Sequence, residues 1–172
     1  PIYEVGLEEL LKANIGSRLK ASTDLRTAVL ESDISLIAVG TPFDGDKIDL
    51  KFIREVSRQI GEVIKDKSTF HAVIVKSTVV PGTTDSVVAP ILAEASGGQQ
   101  GVDFGVGMNP EFLKEGDAIV DFMNPDRIVL GGMEEQTIDM LAELYGVFEG
   151  VDLVRCDTRT AEMNKYTANS LL

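Results

Sequence analysis

The feature that most constrains the fold of this chain is an alternation of short β-branched runs with longer amphipathic segments. Five runs are apolar enough to be buried strands, at 36–39, 72–75, 104–108, 127–130 and around 153–154. Strands that alternate with helical segments form a mostly parallel sheet with helices on its faces. We therefore predict an α/β fold built on a doubly wound parallel sheet.

The predicted helices are defined by apolar residues that recur every three or four positions. One such face comprises Leu50, Ile53, Val56, Ile60 and Ile64, and another comprises Ile138, Leu141, Leu144, Tyr145 and Phe148. Shorter helices are predicted at 7–11 and at 25–29, the second capped by Thr23. A last helix, capped by Asp157 or Thr158, is still running at Leu172.

The two ends of the chain carry a prediction of their own. A doubly wound sheet normally begins with a strand, a glycine-rich turn and a helix, and no such segment precedes Pro1. The last helix is interrupted at Leu172, before its apolar face has anything to pack against. We expect the sheet to be incomplete at its N-terminal strands, and an exposed sheet edge of this kind favours self-association.

Charge and composition exclude several classes of partner. The chain has 28 acidic and 16 basic residues, a formal net charge of -12, which would repel a nucleic acid backbone. No apolar run is long enough to span a membrane. The single cysteine, Cys156, forms no internal disulfide, and the single histidine, His71, has no metal-ligand partner in its pattern. We expect a cytoplasmic protein with no nucleic acid, membrane or metal.

Polar residues follow three of the predicted strands. The three strings are Gly40-Thr41-Pro42, Lys76-Ser77-Thr78 and Asn109-Pro110-Glu111. Ligands of doubly wound sheets bind at the carboxyl ends of the strands, so these strings would line one crevice. Each string alone is also typical of any strand-to-helix turn, and spacing leaves both interpretations open.

One pair of carboxylates stands at four-residue spacing. Asn109 is predicted to cap a helix that has Pro110 at its first position, so that Glu111 and Glu115 share a face. Two carboxylates one turn apart repel each other, which suits one of them to acid–base chemistry. The alternative is a solvated acidic helix face.

The last helix repeats the same spacing with Lys165 and Asn169. An ammonium and an amide on one helix face could hold a developing oxyanion. Ordinary surface positions are the alternative, and periodicity does not decide between them. Arg127, at the start of a strand, is expected to pair with Asp126 or Asp121 rather than with a phosphate.

Longer strings run through almost the whole chain in a fixed order. They lie at 1–11, 39–42, 76–84, 109–116, 124–131 and 161–172. In that order they resemble the UDP-glucose/GDP-mannose dehydrogenase family, and the stretch at 126–129 is more similar to its UDP-glucose branch.

The resemblance implies an activity and an architecture. Members of the family oxidise the C6 alcohol of a sugar nucleotide to a carboxylate in two NAD-dependent steps, through an aldehyde and a cysteine-bound thioester. Residues 1–156 would be part of a Rossmann-type NAD-binding domain, and 157–172 the start of the central helix of a following dimerisation domain. The parent protein would be a homo-oligomer that converts UDP-glucose to UDP-glucuronate with two NAD.

The resemblance also implies three groups of site residues. NAD would contact Thr41, Pro42, Ser77, Thr78 and Glu115. The UDP-sugar would contact Glu111, Phe112, Leu113, Lys114, Glu115, Lys165 and Asn169. The catalytic group would be Thr78, which helps to hold a water, Glu111 as the base for thioester hydrolysis, and Lys165 with Asn169 at the oxyanion on C6.

Two parts of the family's machinery are expected outside this chain. The glycine-rich dinucleotide loop would precede Pro1, and the nucleophilic cysteine would follow Leu172, since Cys156 does not match its position. We therefore expect the 172-residue chain to be inactive alone. Alternatives are a GDP-mannose or UDP-N-acetylmannosamine dehydrogenase, and a noncatalytic nucleotide-binding or interaction domain.

Overall fold

The structure, a computed structural model, describes residues 4–43, 45 and 47–171, with side chains as far as residue 168. Its centre is a five-stranded sheet in the order β1-β2-β3-β4-β5. The strands are Ile34–Ile37 (β1), His71–Val75 (β2), Phe104–Met108 (β3), Arg127–Gly132 (β4) and Asp152–Cys156 (β5). Every neighbouring pair is parallel except β3 and β4. The predicted α/β fold is confirmed.

Within the described residues, seven α-helices connect and flank these strands. They are Leu7–Asn14 (α1), Leu25–Leu30 (α2), Lys51–Ile64 (α3), Ala89–Ser96 (α4), Ala118–Met123 (α5), Glu135–Tyr145 (α6) and Thr158–Leu171 (α7). A π-helical segment, Thr84–Val88, runs directly into α4. No helix in the described part of the chain is long and apolar enough to cross a membrane.

The sheet has a hydrophobic core on each face. On the first face, residues of α3, α4 and α7 pack with β2 and β3; this core includes Ile53, Leu92, Ala161, Val73 and Val106. On the second face α6 supplies Ile138, Leu141 and Tyr145 against Ala72, Ile74 and Leu130. Every residue of β2 and β3 is buried, which explains why these strands are continuous apolar runs.

The antiparallel pairing of β3 with β4 departs from the predicted parallel sheet. Between these strands the only helix is α5, which has six residues and buries none of them. No helix therefore crosses the sheet here to return the chain to its amino end. Because Met108 pairs with Gly131, the first residues of β4 extend past the carboxyl end of β3. Arg127 thus begins β4 at the edge where β1, β2 and β3 end.

Some element ends differ from the predicted ones. β1 begins two residues earlier than predicted and ends at Ile37. Asp24, not Thr23, caps α2, because its carboxylate accepts the N–H of Thr27 at 3.0 Å. Asp157 caps α7 by accepting the N–H of Thr160 at 2.8 Å, which selects one of the two predicted caps.

Candidate functional site

A half-enclosed cavity of about 270 Å³ lies at the carboxyl ends of β2 and β3. Its wall is formed by residues 109–114, by the start of β4 and by the end of α6. Lys76, Asn109, Glu111, Phe112, Arg127 and Tyr145 are among its lining residues. Two of the three polar strings that the sequence analysis singled out therefore meet at one cavity.

Asn109 fixes the point at which the chain leaves β3. Its side chain donates to the carbonyl of Val129 at 2.9 Å and accepts from Tyr145 Oη at 2.5 Å and from Lys76 Nζ at 2.8 Å. Only 1% of the residue is exposed. The Asn109 amide is thus fully engaged with neighbouring strands and with α6, so it cannot cap a helix.

The predicted helix at 109–116 is therefore wrong: residues 109–114 are irregular and lead into a turn before Gly116, whose φ is +95°. Glu111 and Glu115 do not share a helix face. Glu115 lies in the exposed turn, whereas Glu111 Oε2 accepts the N–H of Leu113 at 2.8 Å. The like-charge pair that the spacing predicted does not exist.

Glu111 pairs with Lys165 instead. Lys165 Nζ on α7 lies 2.9 Å from Glu111 Oε1, and the side chains are 8% and 30% exposed, respectively. An ammonium this deeply buried needs a partner of opposite charge. Two residues of the predicted catalytic group are thus in direct contact. The side chain of Asn169, another member of that group, lies outside the described residues.

Two cations lie close to the ring of Phe112. Lys165 Nζ is 5.6 Å from the centroid of its ring, and Arg127 Cζ is 5.7 Å from it. The expected pairing of Arg127 with Asp121 or Asp126 is not found among the described residues. Sequence reasoning missed this use of Arg127 because it requires β4 to start at the cavity, and the periodicity of a strand does not reveal its direction.

Lys76 is a third cation at the cavity, which the sequence analysis quoted only as part of a string. Its Nζ donates to Asn109 Oδ1 and lies 3.5 Å from Tyr145 Oη. Burial lowers the pKa of Lys76; the charge of Glu111 opposes this shift and that of Lys165 adds to it. The wall of the cavity carries equal numbers of basic and acidic side chains, namely Lys76, Lys114 and Arg127 with Glu111, Asp121 and Asp126.

The residues predicted to contact the cofactor connect the ends of β1 and β2. Thr41 Oγ1 donates to the carbonyl of Thr78 at 2.8 Å, and Ser77 Oγ donates to the carbonyl of Val39 at 2.6 Å. Pro42 is exposed, and the hydroxyl of Thr78 has no partner among the described residues. The structure brings Thr41, Ser77 and Thr78 together. The hydroxyl proton of Ser77 already forms a hydrogen bond to the carbonyl of Val39, so it is not available to a ligand.

The remaining predicted residues lie at the rim of the cavity. Leu113 and Lys114 line it, and the N–H of Lys114 donates to Asp121 Oδ2 at 2.9 Å. Cys156, which was given no role, is half-buried at the end of β5, where burial raises the pKa of its thiol. A thiol with a raised pKa stays protonated and is a poor nucleophile.

The chain beyond the end of β1 is open at one position. A Cβ added at Gly40 would meet no atom within 4 Å. The hydroxyl of Thr78, which has no partner among the described residues, lies on the neighbouring string. A hydroxyl at the carboxyl end of a strand fits the way in which doubly wound sheets hold a dinucleotide.

Comparison with known proteins decides the family. Residues 1–149 match the model described as UDP-glucose/GDP-mannose dehydrogenase family, NAD binding domain. The chain belongs to this family. The predicted family is thereby confirmed, and so is NAD as the cofactor of the domain.

Relatives of known activity cover the whole chain. GDP-mannose 6-dehydrogenase of Pseudomonas aeruginosa is 48% identical over 172 residues, 98% of this chain and 39% of that protein. UDP-glucose 6-dehydrogenase of Haloferax volcanii is 40% identical over 100% of this chain and 41% of that protein. The crystal structure of a ternary complex of GDP-mannose dehydrogenase from P. aeruginosa superposes with a TM-score of 0.94, at 46% identity, over 99% of this chain and 39% of that one. The chain thus spans about two fifths of the length of these relatives.

Proposed function

We propose that this chain is the NAD-binding part of a sugar-nucleotide 6-dehydrogenase. Each of two successive oxidations would remove a hydride and a proton at C6, and water would supply the second oxygen of the carboxylate. NAD, when bound, accepts the hydride. The observation that carries the proposal is the buried Lys165–Glu111 pair, 2.9 Å apart, at the cavity where the strands end.

In this proposal the two members of the pair have different roles. The ammonium of Lys165 would donate to the oxygen on C6 as negative charge develops there, because a buried cation stabilises an oxyanion better than a solvated one. Glu111 would accept a proton from the attacking water, and Thr78 would help to hold that water. Asn169 is retained as a second donor beside Lys165.

The nucleotide sugar is best assigned from the relatives. Six GDP-mannose 6-dehydrogenases are 45–48% identical to the chain, whereas two UDP-glucose 6-dehydrogenases are 40% and 36% identical. We therefore propose GDP-mannose as the first candidate. UDP-glucose, predicted from the 126–129 stretch, remains the second. The diphosphate group of either nucleotide sugar would meet the cationic side chains of Lys76 and Arg127, which line the cavity.

The test is turnover by the full natural polypeptide that contains this chain. NADH formation is followed with GDP-mannose, UDP-glucose and UDP-N-acetylmannosamine, and two NADH per sugar are expected from one of them. Lys165→Met serves as the matched variant and should abolish turnover while the protein stays folded. Absence of NADH with all three sugars, from a protein that binds NAD, would refute the proposal.

The isolated 172-residue chain gives a second readout. We propose that α7 continues into a dimerisation domain and that the complete protein is a homo-oligomer. We also propose that the glycine-rich dinucleotide loop lies outside these 172 residues, so calorimetry should show much weaker NAD binding to the isolated chain than to the full polypeptide. Equal affinity would contradict this division of the site.

A further inference from the structure

A second buried acid, Glu162, lies on α7 one turn before Lys165. No part of Glu162 is exposed, and its carboxylate accepts three hydrogen bonds. Oε2 accepts the N–H of Gly82 at 2.5 Å, and Oε1 accepts the N–H of Thr84 at 2.7 Å and its hydroxyl at 2.6 Å. The donors belong to the loop after β2 and to the start of the π-helical segment.

Glu162 takes the place of a local helix cap. The hydroxyl of Thr83 donates to the carbonyl of Val80 and makes no cap bond. The N–H groups at this helix start are instead satisfied by a side chain 78 residues further along the chain. Burial raises the pKa of Glu162, and the bonds from Thr84 and Gly82 oppose that rise.

The two elements that Glu162 joins carry the two halves of the proposed site. The loop after β2 holds Ser77 and Thr78, and α7 holds Lys165. We propose that Glu162 is a positioning residue, which keeps Lys165 in register with the loop that carries Ser77 and Thr78. This inference rests on the proposed dehydrogenase function, since it assigns a role within that reaction.

The structure offers a matched control in Asp85. Its carboxylate accepts from the hydroxyl of Thr158 and from Arg159 Nε, the latter at 2.8 Å, so it also links the π-helical segment to α7. These partners lie about two turns before Lys165, and the Arg159 side chain is 65% exposed. Loss of this link should loosen the start of α7 without moving Lys165.

The experiment compares Glu162→Gln, Thr84→Val and Asp85→Asn in the full natural polypeptide. Glutamine keeps the size of the side chain, but its amide N–H group would face the backbone N–H of Gly82 or Thr84, so one of the hydrogen bonds to Glu162 is lost. We expect kcat to fall on the order of 10-fold or more in Glu162→Gln, with both KM values within about two-fold, because a small misplacement at the reacting centre affects mainly kcat. Asp85→Asn should keep its kcat even if its Tm falls equally.

Thr84→Val keeps the test decisive if Glu162→Gln does not fold. It removes the hydroxyl of Thr84, one of the three donors to Glu162, so it should lower kcat by a smaller factor than Glu162→Gln does. The double variant Glu162→Gln/Thr84→Val should be no slower than Glu162→Gln. An unchanged kcat in Thr84→Val and in a folded Glu162→Gln, or an equal loss of kcat in Asp85→Asn, would overturn the inference. An unsubstituted enzyme that oxidises no nucleotide sugar would instead refute the proposed function.

Discussion

Two contacts stabilise the charge of the buried Lys165 side chain. Its Nζ lies 2.9 Å from the carboxylate of Glu111 and 5.6 Å from the ring of Phe112. A pair with one well-buried member is expensive to break from one side, since the remaining charge loses its partner. Because Glu111 is 30% exposed, part of its charge can be rehydrated.

We expect Lys165→Met to destabilise the 172-residue chain by about 1–3 kcal/mol, below the range for fully buried pairs. Glu111→Gln should cost at least as much, because it leaves the ammonium of Lys165, which is only 8% exposed, without a partner of opposite charge. The double variant should lose less than the sum of the two, and urea denaturation of all four proteins measures that coupling. Strict additivity would mean that the pair does not interact in solution.

His71 is a titratable group in the core, distant from the proposed chemistry. It is fully buried; its Nε2 lies 2.8 Å from Ser35 Oγ and its Nδ1 lies 3.1 Å from the carbonyl of Ser32. Burial, and then the charge of Lys67, lower its pKa from 6.5 to about 4. The folded state therefore favours neutral His71.

The sign of the pH effect follows from this shift. Above pH 6.5 the imidazole is neutral in both states, and as pH falls toward 4 only the unfolded state takes up the proton. The free energy of unfolding should fall by on the order of 3 kcal/mol from this group alone. Urea titrations at pH 7 and pH 4.5 should show a smaller loss in His71→Gln. Identical losses in both proteins would exclude His71 as the cause.

At the scale of elements, the close packing of α7 against β4 depends on the absence of a side chain at Gly131. A Cβ added to Gly131 would lie 2.6 Å from the Cβ of Ala161 and 3.0 Å from the carbonyl oxygen of Met108. Backbone and helix cannot both remain in place around that atom. Since α7 carries Lys165 and Glu162, the packing at Gly131 also sets the geometry of the cavity.

Gly131→Ala should destabilise the chain by about 1–3 kcal/mol through overpacking. Gly40→Ala is the matched control, because a Cβ there meets nothing within 4 Å. Adding Ala161→Gly to Gly131→Ala should recover part of the loss, reduced by about 1 kcal/mol for glycine within a helix. Thermal unfolding measures all three, and a Gly131→Ala protein as stable as Gly40→Ala would contradict the close packing.

At the scale of the molecule, the second face of the sheet carries an apolar groove of about 750 Å³ beside the edge strand β1. Its exposed apolar residues are Leu36, Phe122, Met123, Leu144 and Val147. An edge strand with unpaired backbone groups next to apolar surface is a site of association. The isolated chain should therefore associate in a concentration-dependent manner.

Leu36→Lys should raise the monomer fraction of the isolated chain, because it places a charge on the edge strand. Sedimentation velocity over a range of concentrations measures this fraction. Val102→Lys is the control, since Val102 is 61% exposed and does not line the groove. If both variants associate as the unsubstituted chain does, the groove is not the contact.

The sequence by itself determined the element types, because strand and helix periodicities record which face of a local segment is buried. It placed β2, β3 and α3 within a residue or two, and its ordered strings led to the correct family; α6 ends at Tyr145, so Phe148, predicted on its apolar face, lies beyond it. Only the tertiary structure decided the direction of β4, the irregular path at 109–114, and the partners of Glu111 and Glu162. These depend on contacts between residues far apart in the chain: no helix lies across the sheet between β3 and β4, Asn109 is held by other strands, and both acids are satisfied from other elements. Local spacing does not encode such contacts, so it paired Glu111 with Glu115 where the folded chain pairs it with Lys165.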